Sequence, residues 1–250
     1  MTTKQIIKQF LLISFGLMIP TSLLYFIFNQ LGISTIGNTL GFIGLIIGGG
    51  STALAGLITA KTSGKVKSYL TVLKEFFSLR QSPFAYLMVI FFLLLNFGMK
   101  FDPFPINKFI QLLVASLIFG GIEEIGWRYM FQPTLERKFS FVAATCLTSI
   151  AWGTWHLFYF ILDGSLFSMT LLNLLIFLIG LVGNSFILAS IFFTTNSLWL
   201  CVLYHASLNA FTQLLSSSSL SYSIISASTS ILFACLFVYL KKRARDQNLG

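Results

Sequence analysis

Residues 112–131 read LLVASLIFGGIEEIGWRYMF. The run is long enough to cross the ~30 Å of hydrocarbon that about 20 helical residues span, yet it holds Glu123, Glu124 and Arg128. A charge in hydrocarbon costs at least ~2.5–3.5 kcal/mol on insertion scales, so a carboxylate pair inside a span calls for a reason. The whole chain has seven Asp and Glu, and two of them are adjacent here. On a helix, Glu124 and Arg128 are four residues apart and share a face, which gives one carboxylate a partner. Glu123 then points elsewhere and has no local partner. It is the first candidate for chemistry.

The same reading extends along the chain. At 56% hydrophobic and 9% charged residues, with a mean hydropathy of +0.87, the composition excludes a soluble globular domain. The net charge of +9 does not point to nucleic acid, because Lys and Arg fall between apolar runs and form no basic face. That distribution is the positive-inside pattern of a polytopic membrane protein. The predicted fold class is all-α, a bundle of about eight transmembrane helices. Cys146, Cys201 and Cys235 are odd in number and lie in apolar runs, so they read as buried thiols.

In order, span one covers about Ile6 to Phe28 with a kink expected at Pro20, and it reads as a retained span, not a cleaved leader. Span two, about Leu40 to Ala60, is rich in glycine, which permits close helix packing. Residues 66–80 place Val66, Tyr69, Leu70, Leu73 and Phe77 on one face and Lys67, Thr71, Lys74 and Ser78 opposite, as in a helix lying on the membrane surface. Span three runs from about Ala85 to Met99, and the turn Lys100 to Pro105 ends it. Span four starts near Ile106, carries the Glu pair and ends near Pro133 or Arg137. Span five is about Phe139 to Leu162, span six Met169 to Thr194 and span seven Leu198 to Leu215. A connection at Ser216–Ser219 leads to span eight, which ends at Leu240.

Three blocks follow within one integrated domain: residues 1–105, with spans one to three and the interfacial helix; residues 106–215, with spans four to seven; and residues 216–250, with the last span and a basic tail. With both termini inside, the 61–80 segment, Arg137, Lys138 and the tail cations are also inside, and only Lys100 and Lys108 fall outside. That bias predicts a multi-pass protein of the cell membrane with cytoplasmic termini.

The chain has two histidines, and both sit in apolar runs. His205 and Asn209 are four apart on one helical face, and Trp152 precedes His156 by four. Polar groups in a bundle turn inward, because lipid cannot satisfy them. Glu123, His156 and the His205/Asn209 pair are therefore expected to meet in one cavity. Such a set suits hydrolysis: a carboxylate beside an imidazole can hold a water and take its proton, and a second imidazole with an amide can donate to an oxyanion. The same atoms could instead ligate a catalytic zinc through Glu123, His156 and His205. The compact helical His-Glu-x-x-His motif is absent.

Glu123-Glu124-x-x-x-Arg128, Trp152-x-x-x-His156 and His205-x-x-x-Asn209, in that order, resemble the three-motif signature of the CPBP family, the CAAX prenyl protease and bacteriocin-processing proteins also called Abi. The resemblance covers about residues 106–215. It implies an intramembrane protease with an eight-helix core, in which Glu123 and His156 activate water, His205 and Asn209 form the oxyanion hole, and Glu124 and Arg128 are structural. The second motif often begins with Phe in the family, whereas Trp152 stands here, in a supporting position. The family is labelled metalloprotease, and a metal-free glutamate mechanism is the competing account and the one favoured here. The resulting expectation is an endopeptidase that acts on a membrane-associated or lipidated peptide or protein, with membrane lipids as surroundings, no nucleic-acid partner and no required cofactor. The alternative is a non-proteolytic scaffold or bacteriocin self-immunity protein that binds through the same cavity.

Overall fold

Helix α1 (Thr3–Gln30) shows how the bundle is built. Ile6, Phe10, Ser14, Met18, Ser22 and Tyr25 recur every three or four residues and are buried, while Leu12, Leu23, Leu24 and Ile27 between them are exposed. Two serines inside and leucines outside is the reverse of a soluble helix, and it fits a surface whose solvent is lipid. A reciprocal Thr2/Gln5 capping box starts the helix, which then continues through Pro20 to Gln30.

The computed structural model describes residues 1–35, 37–98, 105–215 and 219–247. The elements after α1 are α2 (Thr39–Thr62), with a π-helical turn at Leu45–Gly49; α3 (Tyr69–Phe76); α4 (Pro83–Phe97); α5 (Ile106–Phe119); α6 (residues 123–135), with a π-helical turn at Trp127–Phe131; α7 (Phe141–Leu162); α8 (Leu171–Thr195); α9 (Leu198–Leu214); and α10 (Leu220–Gln247). No strand occurs among the described residues. The expected turn at 100–105 and the Ser216–Ser219 connection lie outside the described residues, save Pro105 and Ser219.

Among the described residues, five segments are long and apolar enough to cross a membrane: α1, α2, α5 with α6, α8 and α10. The chain is an all-α integral membrane protein. The other bundle helices fall short for readable reasons. Helix α4 has 15 residues, α9 has 17, and Thr, Ser, Trp and His side chains dilute α7.

Two expectations need correction. Span four runs from Ile106 to Leu135 as expected, but it is not one unbroken helix, because the helix stops at Phe119 and restarts at Glu123. The 66–80 segment is helical only from Tyr69 to Phe76, capped by the Ser68 hydroxyl. Its protein-facing side chains are Val72 and Phe76, and Tyr69, Leu70, Leu73 and Phe77 are exposed. Apart from Val66, which is buried ahead of the helix, the predicted apolar stripe therefore faces away from the bundle, where an interfacial helix meets lipid. In addition, Cys146 is exposed, while Cys201 is buried, and both are free thiols.

The bundle closes where small residues let backbones touch. A Cβ on Gly56 would lie 2.4 Å from the Ile125 carbonyl oxygen, and one on Gly126 would lie 2.4 Å from the Thr52 carbonyl oxygen. These two glycines let α2 cross α6 directly beside the glutamate pair. The basic ends of several helices meet at one end of the molecule. Gln9 of α1 accepts a hydrogen bond from Thr62 of α2, Lys65 donates to the Tyr129 carbonyl and lies over the Tyr129 ring, and Lys242 of α10 lies over Phe193 of α8.

The α2/α6 crossing generates a contrast. Gly126→Ala places a methyl against backbone that cannot yield, so its thermal midpoint in detergent should fall steeply or the folded protein should be lost. A Cβ on Gly180 of α8 meets nothing within 4 Å, so Gly180→Ala should hold or raise the midpoint, since Ala is favoured over Gly in a helix by about 1 kcal/mol. Equal loss in both variants would contradict this account of the crossing.

Candidate active site

The break between α5 and α6 places the acidic pair. The amides of Gly120 and Gly121 both donate to the Ser116 carbonyl, at 2.9 and 2.8 Å, and the Glu123 and Glu124 amides donate back to Gly120 and Gly121, at 3.0 and 3.1 Å. Both glycines are needed for closeness to α9. A Cβ on Gly120 would lie 2.3 Å from Asn209 Nδ2, and one on Gly121 would lie 2.7 Å from Val202 Cγ1. Helix α9 therefore lies against the turn, with Asn209 at the glycines and His205 one turn earlier at the carboxylates. Two acidic residues in the first turn of α6 also suit the positive end of its dipole.

Glu124 is fully buried and divides its oxygens. Oε1 lies 2.7 Å from His205 Nδ1, and Oε2 lies 3.6 Å from Arg128 Nε, an ion-pair contact without hydrogen-bond geometry. Arg128, also fully buried, donates from Nη2 to the Ser185 hydroxyl at 3.4 Å and sets its guanidinium 4.9 Å from the Trp152 ring centre. Glu123 is 5% exposed, and its Oε2 accepts a 2.9 Å hydrogen bond from the Trp152 indole nitrogen.

Trp152 joins the rest. Its carbonyl is 3.1 Å from His156 Nδ1, so that nitrogen carries the proton and Nε2 is left as an acceptor. Its ring meets His156 and His205 edge to face, at 5.3 and 5.5 Å between centroids. Trp155 and Phe177 pack on the other sides of His156, at 5.1 and 5.2 Å.

Trp152, His156, His205 and Asn209 line one cavity of about 240 Å³, whose other walls come from α4, α8 and α10. Residues 105–211, which supply all four of these residues and the glutamate pair, match the family described as Type II CAAX prenyl endopeptidase Rce1-like. Over that stretch, rather less than half of its length, the chain is similar to the CPBP/CAAX proteases. No curated protein matches it. The description of that family names an endopeptidase of prenylated CAAX substrates.

The predicted residues fall as follows. His156, His205 and Asn209 share the cavity wall, whereas Glu123, expected there with them, is not among the lining residues and stands behind Trp152, bonded to its indole. Glu124 contacts Arg128 as the spacing predicts. Glu123, however, is not without a partner. The cross-helix bond to Trp152 could not be read from local spacing, because it joins residues 29 apart. His205 is likewise tied to Glu124, which helical spacing had assigned to Arg128 alone. Asn96 and Asn184, two further cavity residues, escaped the sequence reading. Their signal was the one that drew attention to Glu123, a polar group inside an apolar span.

The donor set also bears on zinc. Both imidazoles have Nδ1 engaged and Nε2 open, as ligating histidines do. Yet no three His, Cys, Asp or Glu side chains among the described residues are grouped so as to hold a metal ion, and one Glu123 oxygen is held by Trp152. The residues as placed do not fit a three-ligand zinc site, and no step below is routed through one.

The division between the carboxylates can be measured through stability. Arg128→Ala leaves Glu124 buried with one partner fewer and should cost about 3–5 kcal/mol, seen as a large fall in thermal midpoint. Glu123→Gln keeps an oxygen for the Trp152 indole and should change the midpoint little. Equal destabilisation would contradict separate roles for the adjacent glutamates.

Proposed function

We propose that the protein is an intramembrane endopeptidase in which Glu123 activates water without a metal. The observation that carries this reading is the shared cavity: an imidazole with a free acceptor nitrogen, a second imidazole backed by a buried carboxylate, and an amide, with Glu123 bonded to the tryptophan between them.

In the reactive form Glu123 is ionised and His205 carries both ring protons. Two carboxylates then face two cations, and the buried cluster is neutral, as a desolvated group of charges requires. The Trp152 bond fixes one Glu123 oxygen and leaves the other for water. His156 Nε2 accepts the water's second hydrogen and orients its lone pair. Glu123 takes the first proton as the water oxygen bonds to the scissile carbonyl carbon. The oxyanion that forms is held by His205 Nε2–H and Asn209 Nδ2–H, in an apolar site where such donors count most. Glu123 then returns its proton to the amide nitrogen, the C–N bond breaks to give a carboxylic acid and an amine, and the acid's proton passes to the amine, so that a carboxylate and an ammonium leave.

The substrate class is a lipidated or membrane-associated peptide, in keeping with the family. The basic helix ends clustered at one end of the bundle support a cell-membrane orientation with that end, and both termini, in the cytoplasm.

Cleavage of a fluorescent panel of prenylated and unmodified peptides by purified protein tests the reading. Glu123→Gln should abolish turnover. Asn209→Ala should reduce it by roughly 10²–10³ with little change in substrate binding. Exhaustive chelation should leave activity intact. Stoichiometric zinc, with activity lost on chelation and restored by adding it back, would overturn the metal-free mechanism.

A further inference from the structure

Helix α8 turns Ile176, Phe177, Gly180, Leu181 and Asn184 toward the cavity, the spacing of one helical stripe. Asn184 is the polar member of that stripe, and its amide is held in place. Its Oδ1 accepts from Asn96 Nδ2 at 3.1 Å and from the Tyr204 hydroxyl at 2.6 Å. The Tyr204 oxygen in turn accepts from Asn96 Nδ2 at 2.6 Å. Asn96 is fixed from α10, through Ser226 to its Oδ1 and Tyr222 to its carbonyl, both at 2.7 Å. This neutral network joins α4, α8, α9 and α10. It orients one group that it does not satisfy: the Asn184 amide nitrogen has no hydrogen-bond acceptor among the described residues, although the residue lines the cavity. An amide whose oxygen holds two bonds cannot turn its N–H groups away without giving them up.

We propose that Asn184 is a substrate-binding residue whose amide N–H donates to a main-chain carbonyl of the peptide lying in the cavity. Neutral donors among Ile176, Phe177 and Leu181 match a neutral acceptor flanked by apolar side chains. The lining residues among those described include no Lys or Arg that would favour a carboxylate at this position. The next residue, Ser185, accepts from Arg128, so a single turn of α8 would register the peptide against the helix that carries Glu123. The proposal rests on the endopeptidase reading, since it concerns the substrate of that same cavity.

The test uses full-length protein in detergent and a farnesylated fluorescent peptide ending Cys-aliphatic-aliphatic-X, with cleavage and binding measured separately. Asn184→Leu removes the donor. Asn184→Asp also removes it but keeps an oxygen for Asn96 and Tyr204, so a folded variant remains if Leu destabilises the network. Both should raise KM by roughly two- to tenfold, the worth of one neutral hydrogen bond, with kcat little changed. Binding is measured in the Glu123→Gln background, with each carbonyl of the probe in turn reduced to a methylene. At one position, wild-type and variant Asn184 should bind the reduced peptide alike, a coupling that a purely structural residue would not give. An unchanged KM, or losses that add independently at every carbonyl, would overturn the proposal while leaving cleavage by Glu123 intact. Binding with the predicted coupling but no cleavage would uphold Asn184 and sink the peptidase reading. A wild-type protein that neither binds nor cuts the probe would overturn both.

Discussion

The structure depends on keeping one buried carboxylate paired. Glu124 has no exposed surface, and in a bundle surrounded by lipid an ionised group must find its partners inside the protein. It finds Arg128 one turn along its own helix and His205 on α9. The first contact stiffens α6, and the second fixes α9 against it. Both require the chain to pass very close to its neighbours, which the glycines at 120, 121, 126 and 56 allow. A scaffold whose charges are already spoken for lets the adjacent Glu123 answer to the Trp152 indole N–H, with an oxygen left for chemistry on the proposed reading.

Much of this was legible in the sequence because charge is so scarce. In a chain with seven acidic residues and two histidines, any polar group inside an apolar run stands out, and the helical period says which ones share a face. That logic found the helical class, the membrane location, the Glu124–Arg128 contact and the His205/Asn209 face. It failed where geometry depends on residues far apart in the chain. The bond from Trp152 to Glu123 and the one from His205 to Glu124 span 29 and 81 residues, and no local period reports them. The break at Gly120–Ile122 was also missed, since a pair of glycines in a span reads equally well as a packing surface or as a turn. Only the position of α9 against it decides. On the interfacial segment, periodicity found an apolar stripe but could not say that Val72 and Phe76, beside that stripe, are the residues that anchor α3 to the bundle.

The cavity is built from two unlike walls. One carries the imidazoles, Asn209 and Trp152, and the charged cluster stands immediately behind it. The other is an apolar stripe of α8 that ends in a neutral amide network tied to α4 and α10. Asn184 and Ser185 stand next to each other on α8, the first in the network and the second on Arg128. The two walls are therefore linked through one helical turn, and in a packed bundle a shift in either is felt by the other. On the proposed reading this linkage sets a bound peptide bond at a fixed height relative to Glu123. Most of the rate should then come from positioning and a preorganised oxyanion site, with proton transfer adding the rest.

The central claim, that a peptide carbonyl enters this cavity to be attacked by Glu123-activated water, is met most directly by an experimental structure of the Glu123→Gln variant with a peptide phosphonate or uncleaved peptide bound. The account predicts the carbonyl or phosphonyl oxygen at ~2.7–3.1 Å from both His205 Nε2 and Asn209 Nδ2, with a water held between residue 123 and His156 Nε2. A peptide bound outside the cavity, or a metal ion coordinated by His156 and His205 where that water should be, would contradict it.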